Sequence, residues 1–588
     1  MNINSISAYP ENPYSPPISG VFHEQSPRDT TVPGKYTVYI PDSFQPCSPA
    51  VMILAPDYTT AQSFYSGSLG QAWKAEADLR GFTLIIVEAD QGQGGAWNLL
   101  NATWQRNDDD FLYEIVDTIR QKFSSIPAAF NLDERSLYLV GYEQGGSAAH
   151  KMAISWPQLF GGIVSIGGSN VSDELITRNG GKRSFPFIAG QNSDGSETIG
   201  LLNQDIPLPA WIVEAANSEL NSLTIKNHWI NAADAISGSP NIYAQETYSN
   251  GATNIWITYS TAATPSPSII YEEFLYQVLR YTNTPGGVLE YRVRLISGSV
   301  PGTGFVYSED TVGGRLRKWW TYIPTTYNEN NSYPLIVALH GGSNSAEAFI
   351  GDSRWHLYAE QYGLIVVFPQ AFPCPLPFFG WIPVPVWNQY IITPGDPPDD
   401  VAFIRHVINQ TKTNYAVDAE KVFATGHSNG AGMTWRLGLD APEIFAAIAP
   451  AGWTVSATPG GQSVPPISVP LPVWLFMGRY DQMGADAFSL GNSNDTCIKY
   501  WAQRNGFNYK KLCTEYDTSG NYYSRIWTNG VDSIPLFQFT TVADCPHIYV
   551  PYECELLWTQ FFSKLRLASD GKRYFNGVEI TRGSTSNE

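Results

Sequence analysis

Two stretches of this chain follow one pattern: LYLVGYEQGGSAAHKMA from Leu137 and VFATGHSNGAGMTWRLG from Val422. Each reads as an apolar β-rich run, a glycine-bounded turn and a helix-length segment. The likeness continues in the same order along both halves. KYTVYIP (from Lys35) returns as KWWTYIP (from Lys318), GFTLIIVEA as GLIVVFPQA, and LPAWIVEA as LPVWLFMG. Ser428 lies 285 residues after Glu143, and Phe349 lies 285 after Phe64. Such a long period marks a duplicated domain, because solenoid repeats run to only about 20–50 residues. The Pro-Gly punctuation in YTNTPGGVLE predicts the junction. It gives one domain over 1–285 and a second over 286–588.

Short, nearly continuous apolar runs (VMILA, TLIIVEA, LYLVG) alternate with amphipathic stretches such as YEIVDTIRQKF. The first kind suits parallel strands covered on both faces. The second suits the covering helices. The expected fold class is therefore α/β, with two tandem domains, each a mostly parallel sheet with helices on both faces.

A formal net charge of -19 argues against nucleic acid as a partner, which demands a basic footprint. No run reaches the roughly 18 apolar residues of a membrane span. The N-terminus MNINSISAYPENPYSPPISG has neither the positive nor the apolar region of a secretory leader. A complete chain is then expected in the cytoplasm, and a secreted one only if a leader has been removed. The six cysteines form no CxxC pattern, and neither metal nor cofactor is expected. They read as free buried thiols, or in an exported chain as a local bridge, Cys497–Cys513 or Cys545–Cys554.

Gly426-His427-Ser428-Asn429-Gly430 fits G-x-S-x-G between a strand and a helix, the context in which that motif presents a nucleophile. A serine hydroxyl needs a base, and the base an orienting acid. In α/β-hydrolases the order is Ser, acid, His. Of eight histidines, only His547 follows Ser428 with room for an acid between them. Asp481, just past the strand-like PVWLFMG, is the expected acid, with Asp486 and Asp495 as alternatives. The oxyanion calls for backbone N–H donors, expected from Asn429 and from Gly342 or Ser343 in the His340-Gly341-Gly342 turn. His340 reads as a structural hydrogen-bonding residue.

The first half lacks each part. Ser428 corresponds to Glu143, Asp481 to Ser218, His547 roughly to Ser266, and His340-Gly341-Gly342 to Ala55-Pro56-Asp57. Proline has no N–H to donate. The apolar strands persist, so this half is expected to be degenerate and non-catalytic. Support of the second half through an interface is its first expected role; roofing a cleft, dimerisation and binding a substrate chain are the others.

From about Gly302 to Arg566 the chain resembles the esterase/poly(3-hydroxybutyrate) depolymerase family, near the feruloyl and acetylxylan esterases. LIVALHGGSNSAEAF, GLIVVFPQA, Trp387-Asn388, Asp399-Asp400 and GHSNGAGM carry the resemblance. It implies a serine carboxylic-ester hydrolase without metal or cofactor. Polyester or hydroxyalkanoate oligomers, feruloyl or acetylxylan esters, a β-diketone C–C bond and a peptide are the candidate substrates; a non-catalytic binding protein is the remaining alternative. The proline-rich segment with Phe372, Phe378, Phe379, Trp381 and Trp387 suggests an aromatic substrate wall, with Trp453 as a further wall. The same segment is equally readable as a packed loop or a homodimer contact.

Overall fold

The structure is a computed structural model. It describes residues 19–583 apart from 26–33, 44–47, 100–106, 121–131, 169–170, 183–201, 215–218, 260–263, 282–287, 299–301, 376–382, 391–396, 456–467, 480, 482–492, 511–514, 518–521, 544 and 546. It divides into two compact units, one through Arg292 and the other from Val293. The division falls later than the junction expected at 285, because the intervening chain is stitched to the first unit. Val288–Tyr291 pairs antiparallel with Val278–Tyr281. The Arg292 guanidinium donates to Tyr276 O, Ser136 Oγ and Tyr138 Oη.

In the second unit the strands lie in the spatial order Gly304–Val312, Arg315–Ile323, Ile365–Pro369, Tyr333–Leu339, Val417–His427, Ala447–Ala451, Val473–Gly478, Pro535–Val542, Tyr522–Thr528, Glu515–Asp517. Neighbours from Ile365–Pro369 across to Pro535–Val542 run parallel. The pairs outside them are antiparallel. Ile365–Pro369, Ala447–Ala451 and Val473–Gly478 are buried at every position. That is why their sequences do not alternate polar with apolar.

The first unit contains a sheet with the same succession of directions: Gly20–Gln25, Lys35–Ile40, Thr83–Val87, Ser48–Leu54, Leu132–Tyr142, Gly162–Ile166, Ala210–Glu214, Thr253–Tyr259, Glu246–Asn250, Ile236–Ser237. Its parallel core runs from Thr83–Val87 to Thr253–Tyr259. Successive residues of one strand face opposite sides, so Met52 and Leu54 join one apolar cluster, and Val51 and Ile53 the other.

No helix among the described residues is long and apolar enough to cross a membrane. No group of three or more His, Cys, Asp or Glu among them could hold a metal ion. Cys497 and Cys554 are buried free thiols, and Cys554 Sγ donates to Ser353 O at 3.1 Å. Neither expected bridge is therefore formed; Cys513 itself lies outside the described residues.

Candidate active site

The strand Val417–His427 passes directly into the helix Asn429–Asp440 through Ser428, which holds φ 54 and ψ -118. A residue with a Cβ pays roughly 1–3 kcal/mol for such a backbone. The turn is tight because two glycines let chains touch. A Cβ at Gly430 would sit 2.3 Å from Leu339 O and 2.4 Å from His340 O, and one at Gly426 would sit 2.6 Å from Gly430 O. The helix start is thereby pressed against the His340–Ser343 turn. Ser428 N–H donates to Ala451 O at 2.9 Å and fixes the turn from the other side.

His340 is wholly buried and serves that turn. Its Nδ1 lies 2.7 Å from Gly341 O, and its Nε2 accepts Ala371 N–H at 3.0 Å. Burial pushes the imidazole down to about 4, so it stays neutral, with one nitrogen donating and the other accepting. Trp387 Nε1–H donates to His340 O at 2.9 Å. Asn429 clamps the Trp387 backbone, its Oδ1 accepting Trp387 N–H at 2.6 Å and its Nδ2 donating to Trp387 O at 3.1 Å. The expectation of Trp387 as a substrate wall is corrected here. The side chain is 0% exposed and braces the turn from behind.

The oxyanion expectation is narrowed in the same way. Ser343 N–H donates to Pro385 O at 2.8 Å, so it is not available as a donor. Gly342 N–H takes no hydrogen-bond partner among the described residues. Asn429 is the first residue of its helix, where N–H groups lack an intrahelical acceptor.

Asp481 follows the strand Val473–Gly478 and is buried, and His547 follows the strand Pro535–Val542. His547 Nδ1 lies 2.8 Å from Asp481 Oδ1 and 2.9 Å from Oδ2. A carboxylate there can only accept, so Nδ1 carries the proton and Nε2 is left with its lone pair. No hydrogen bond joins Ser428 Oγ to His547 among the described residues. Such contacts commonly tighten only with substrate bound. His427, the residue before Ser428, has its ring centroid 4.7 Å from that of His547. Of the alternative acids, Asp495 is tied to Lys499 at 2.6 Å within its own helix, and Asp486 lies outside the described residues.

Trp453 is half-buried, with its carbonyl accepting Trp435 Nε1–H at 2.9 Å. Phe372 is buried against the Arg315 and Arg317 guanidinium groups and is packing, not a wall. Phe378, Phe379 and Trp381 lie outside the described residues. Two site residues escaped the sequence reading: His427, and Gly452 with φ 73. The scarcity of histidines was the one signal that pointed to His427.

The same elbow recurs in the first unit. Glu143 holds φ 52 and ψ -124 and donates its N–H to Ile166 O at 2.7 Å. A Cβ at Gly145 would lie 2.3 Å from Leu54 O. Trp97 Nε1–H donates to Ala55 O at 2.8 Å. Ser266 caps a helix, its side chain accepting Ile269 N–H; Ser218 lies outside the described residues.

A mostly parallel sheet, a strand–Ser–helix elbow and a His–Asp pair on later loops define the second unit as an α/β-hydrolase fold. Residues 319–458 match the family described as Esterase PHB depolymerase. Acetylxylan esterase A of Talaromyces purpureogenus is 33% identical over 183 residues, 31% of this chain and 43% of that protein. The poly(3-hydroxybutyrate) depolymerase of Ralstonia pickettii is 28% identical over 152 residues, 24% of this chain and 30% of that one. The chain thus spans less than half the length of these two relatives. A solved structure of acetyl xylan esterase from Aspergillus awamori covers 44% of this chain and 99% of its own at 18% identity, with a TM-score of 0.33.

Proposed function

We propose that the second unit is a serine carboxylic-ester hydrolase with Ser428 as nucleophile, His547 as base and Asp481 as orienting acid. The observation that carries this reading is the 2.8 Å contact between His547 Nδ1 and Asp481 Oδ1, on loops beside the strained Ser428 turn. With Nδ1–H held by the carboxylate, Nε2 takes the Ser428 proton as the hydroxyl attacks the ester carbonyl. N–H groups of Gly342 and Asn429 receive the oxyanion. The alcohol leaves protonated by His547, and water then cleaves the acyl-enzyme with His547 again as base.

The family match and the named relatives support esters of hydroxyalkanoate oligomers or acetylated xylan as substrates. The first unit is a degenerate copy with a structural role: it keeps the elbow but has Glu143 in place of the nucleophile and Pro56 in the donor turn. The test is labelling by a fluorophosphonate. Ser428 is expected to be labelled, and Ser428→Ala to lose labelling and nearly all ester hydrolysis, on the order of 10⁶-fold by protease analogy. Activity of Ser428→Ala within about tenfold of the parent sinks the assignment. A panel of hydroxybutyrate oligomers, acetylxylan, feruloyl esters, β-diketones and peptides then ranks the substrate classes.

A further inference from the structure

His427 directly precedes Ser428, and its ring packs beside that of His547. Its ring lies 4.7 Å from the His547 ring at an interplanar angle of 39°, a tilted ring contact. The Tyr549 ring stands at 6.4 Å and 82°. Gly341 lies beside Nδ1, and Gly452 beside Nε2. A Cβ at Gly452 would come within 3.1 Å of His427 Nε2 and 3.3 Å of Asp481 Oδ2. With φ 73 as well, that position holds glycine, and the ring and the carboxylate close over the space a side chain would fill.

The chemistry of the side chain is unused. Nε2 is buried and has no hydrogen-bond partner among the described residues. Burial first, and the neighbouring His547 second, hold the imidazole well below its ordinary value. A ring that bonds nothing through that buried nitrogen and carries no charge contributes through its face. The nearer of its two aromatic neighbours among the described residues is the imidazole that becomes cationic in both steps of the proposed reaction. An aromatic face favours a cation set against it, and the contact also limits rotation of His547 about the bond that aims Nδ1 at Asp481.

We propose that His427 is a positioning residue: its neutral ring backs His547, holds Nδ1 toward Asp481 and Nε2 toward Ser428, and steadies the imidazolium. This rests on the serine-hydrolase reading above. The contact matters most when His547 is charged, so its loss falls on kcat and not on KM.

The test compares His427→Phe, His427→Leu and His427→Ala in the full chain, with folding checked by circular dichroism and steady-state kinetics on p-nitrophenyl acetate. Phe keeps a flat aromatic face, Leu keeps bulk without one, and Ala keeps neither. Expected is a kcat loss of about tenfold or more for Ala, an intermediate loss for Leu, and recovery to within about threefold of the parent for Phe, with KM within about twofold throughout. Phe no better than Leu, or an effect confined to KM, overturns the proposal, and so does an Ala variant with parental kcat. Fluorophosphonate labelling of the parent separates the two readings. An unlabelled Ser428 removes the hydrolase reading itself, whereas labelling at Ser428 with equal kcat in all three variants removes only the role of His427.

Discussion

Glu143 and Ser428 share one backbone conformation, φ 52 and ψ -124 against φ 54 and ψ -118. The strain of a nucleophile elbow thus persists in the first unit, where the residue at its tip is an exposed glutamate. In the second unit this conformation carries the Ser428 hydroxyl; in the first it carries a carboxylate. The glycines enforce it, because the helix start abuts Leu54 O at Gly145 as it abuts Leu339 O at Gly430.

Glu143→Gly is therefore expected to stabilise the first unit. Glycine removes the steric cost of φ 52, of order 1–3 kcal/mol, and gives back about 0.5–1 kcal/mol in unfolded-chain entropy. The transition assigned to this unit should rise by about 1–4 °C in scanning calorimetry. A fall would mean that the Glu143 side chain makes contacts worth more than the strain.

Asp481→Asn keeps the size of the side chain but presents an amide to His547 Nδ1. The imidazole can then adopt the other tautomer, with Nε2 protonated and unable to take the Ser428 proton. A loss of about 10⁴-fold in kcat is expected, with the thermal transition close to that of the parent. Esterase kinetics with retained activity within about tenfold would remove Asp481 from the proposed triad.

Much of this was legible in the chain itself. The paired elbow motifs, the apolar runs and the Ser–Asp–His order led to the sheet and to the contact between Asp481 and His547. What failed were statements about which face of a residue is spoken for. Trp387 was open to two readings, a pocket wall or a packed loop, because loops at that end of the sheet commonly shape such pockets. Its N–H is instead drawn to His340 O and its backbone to Asn429. Ser343 looked like a donor until Pro385 O, more than forty residues on, proved to accept its N–H. Such pairings depend on loops meeting in space, and no local spacing encodes them. The compact units divide at Arg292, a few residues past the expected junction, because Val288–Tyr291 is a strand paired with Val278–Tyr281.

Gly430→Ala tests the close approach of helix and turn. The added methyl would meet two backbone oxygens, Leu339 O at 2.3 Å and His340 O at 2.4 Å, and neither can rotate away. The turn carrying Gly342 must shift, so both folding and oxyanion stabilisation suffer. Expected are a destabilisation of about 1–3 kcal/mol or more and a fall in kcat of about 10²-fold or more. Unchanged kcat and an unchanged transition would show that the turn is free to move.

Glu553 gives the pH dependence its clearest test. The residue is 2% exposed, its Oε2 has no hydrogen-bond partner among the described residues, and burial raises its carboxyl well above the ordinary range. The folded state therefore holds a proton that the unfolded state releases above its ordinary value near 4.5. Stability from this group is fully present below that value and falls as pH rises toward the folded one, by up to about 1.4 kcal/mol per pH unit. The buried His340 and His356, each lowered to about 4, act oppositely: their contribution is lost as pH falls below the ordinary histidine value of 6.5. They are the same in parent and variant, so they cancel in a difference. Glu553→Gln cannot ionise in either state, and its transition temperature minus that of the parent should widen steadily from pH 5 to pH 8. A difference that is flat or shrinking over that range would show that Glu553 is ionised in the folded protein, with a partner that satisfies its charge.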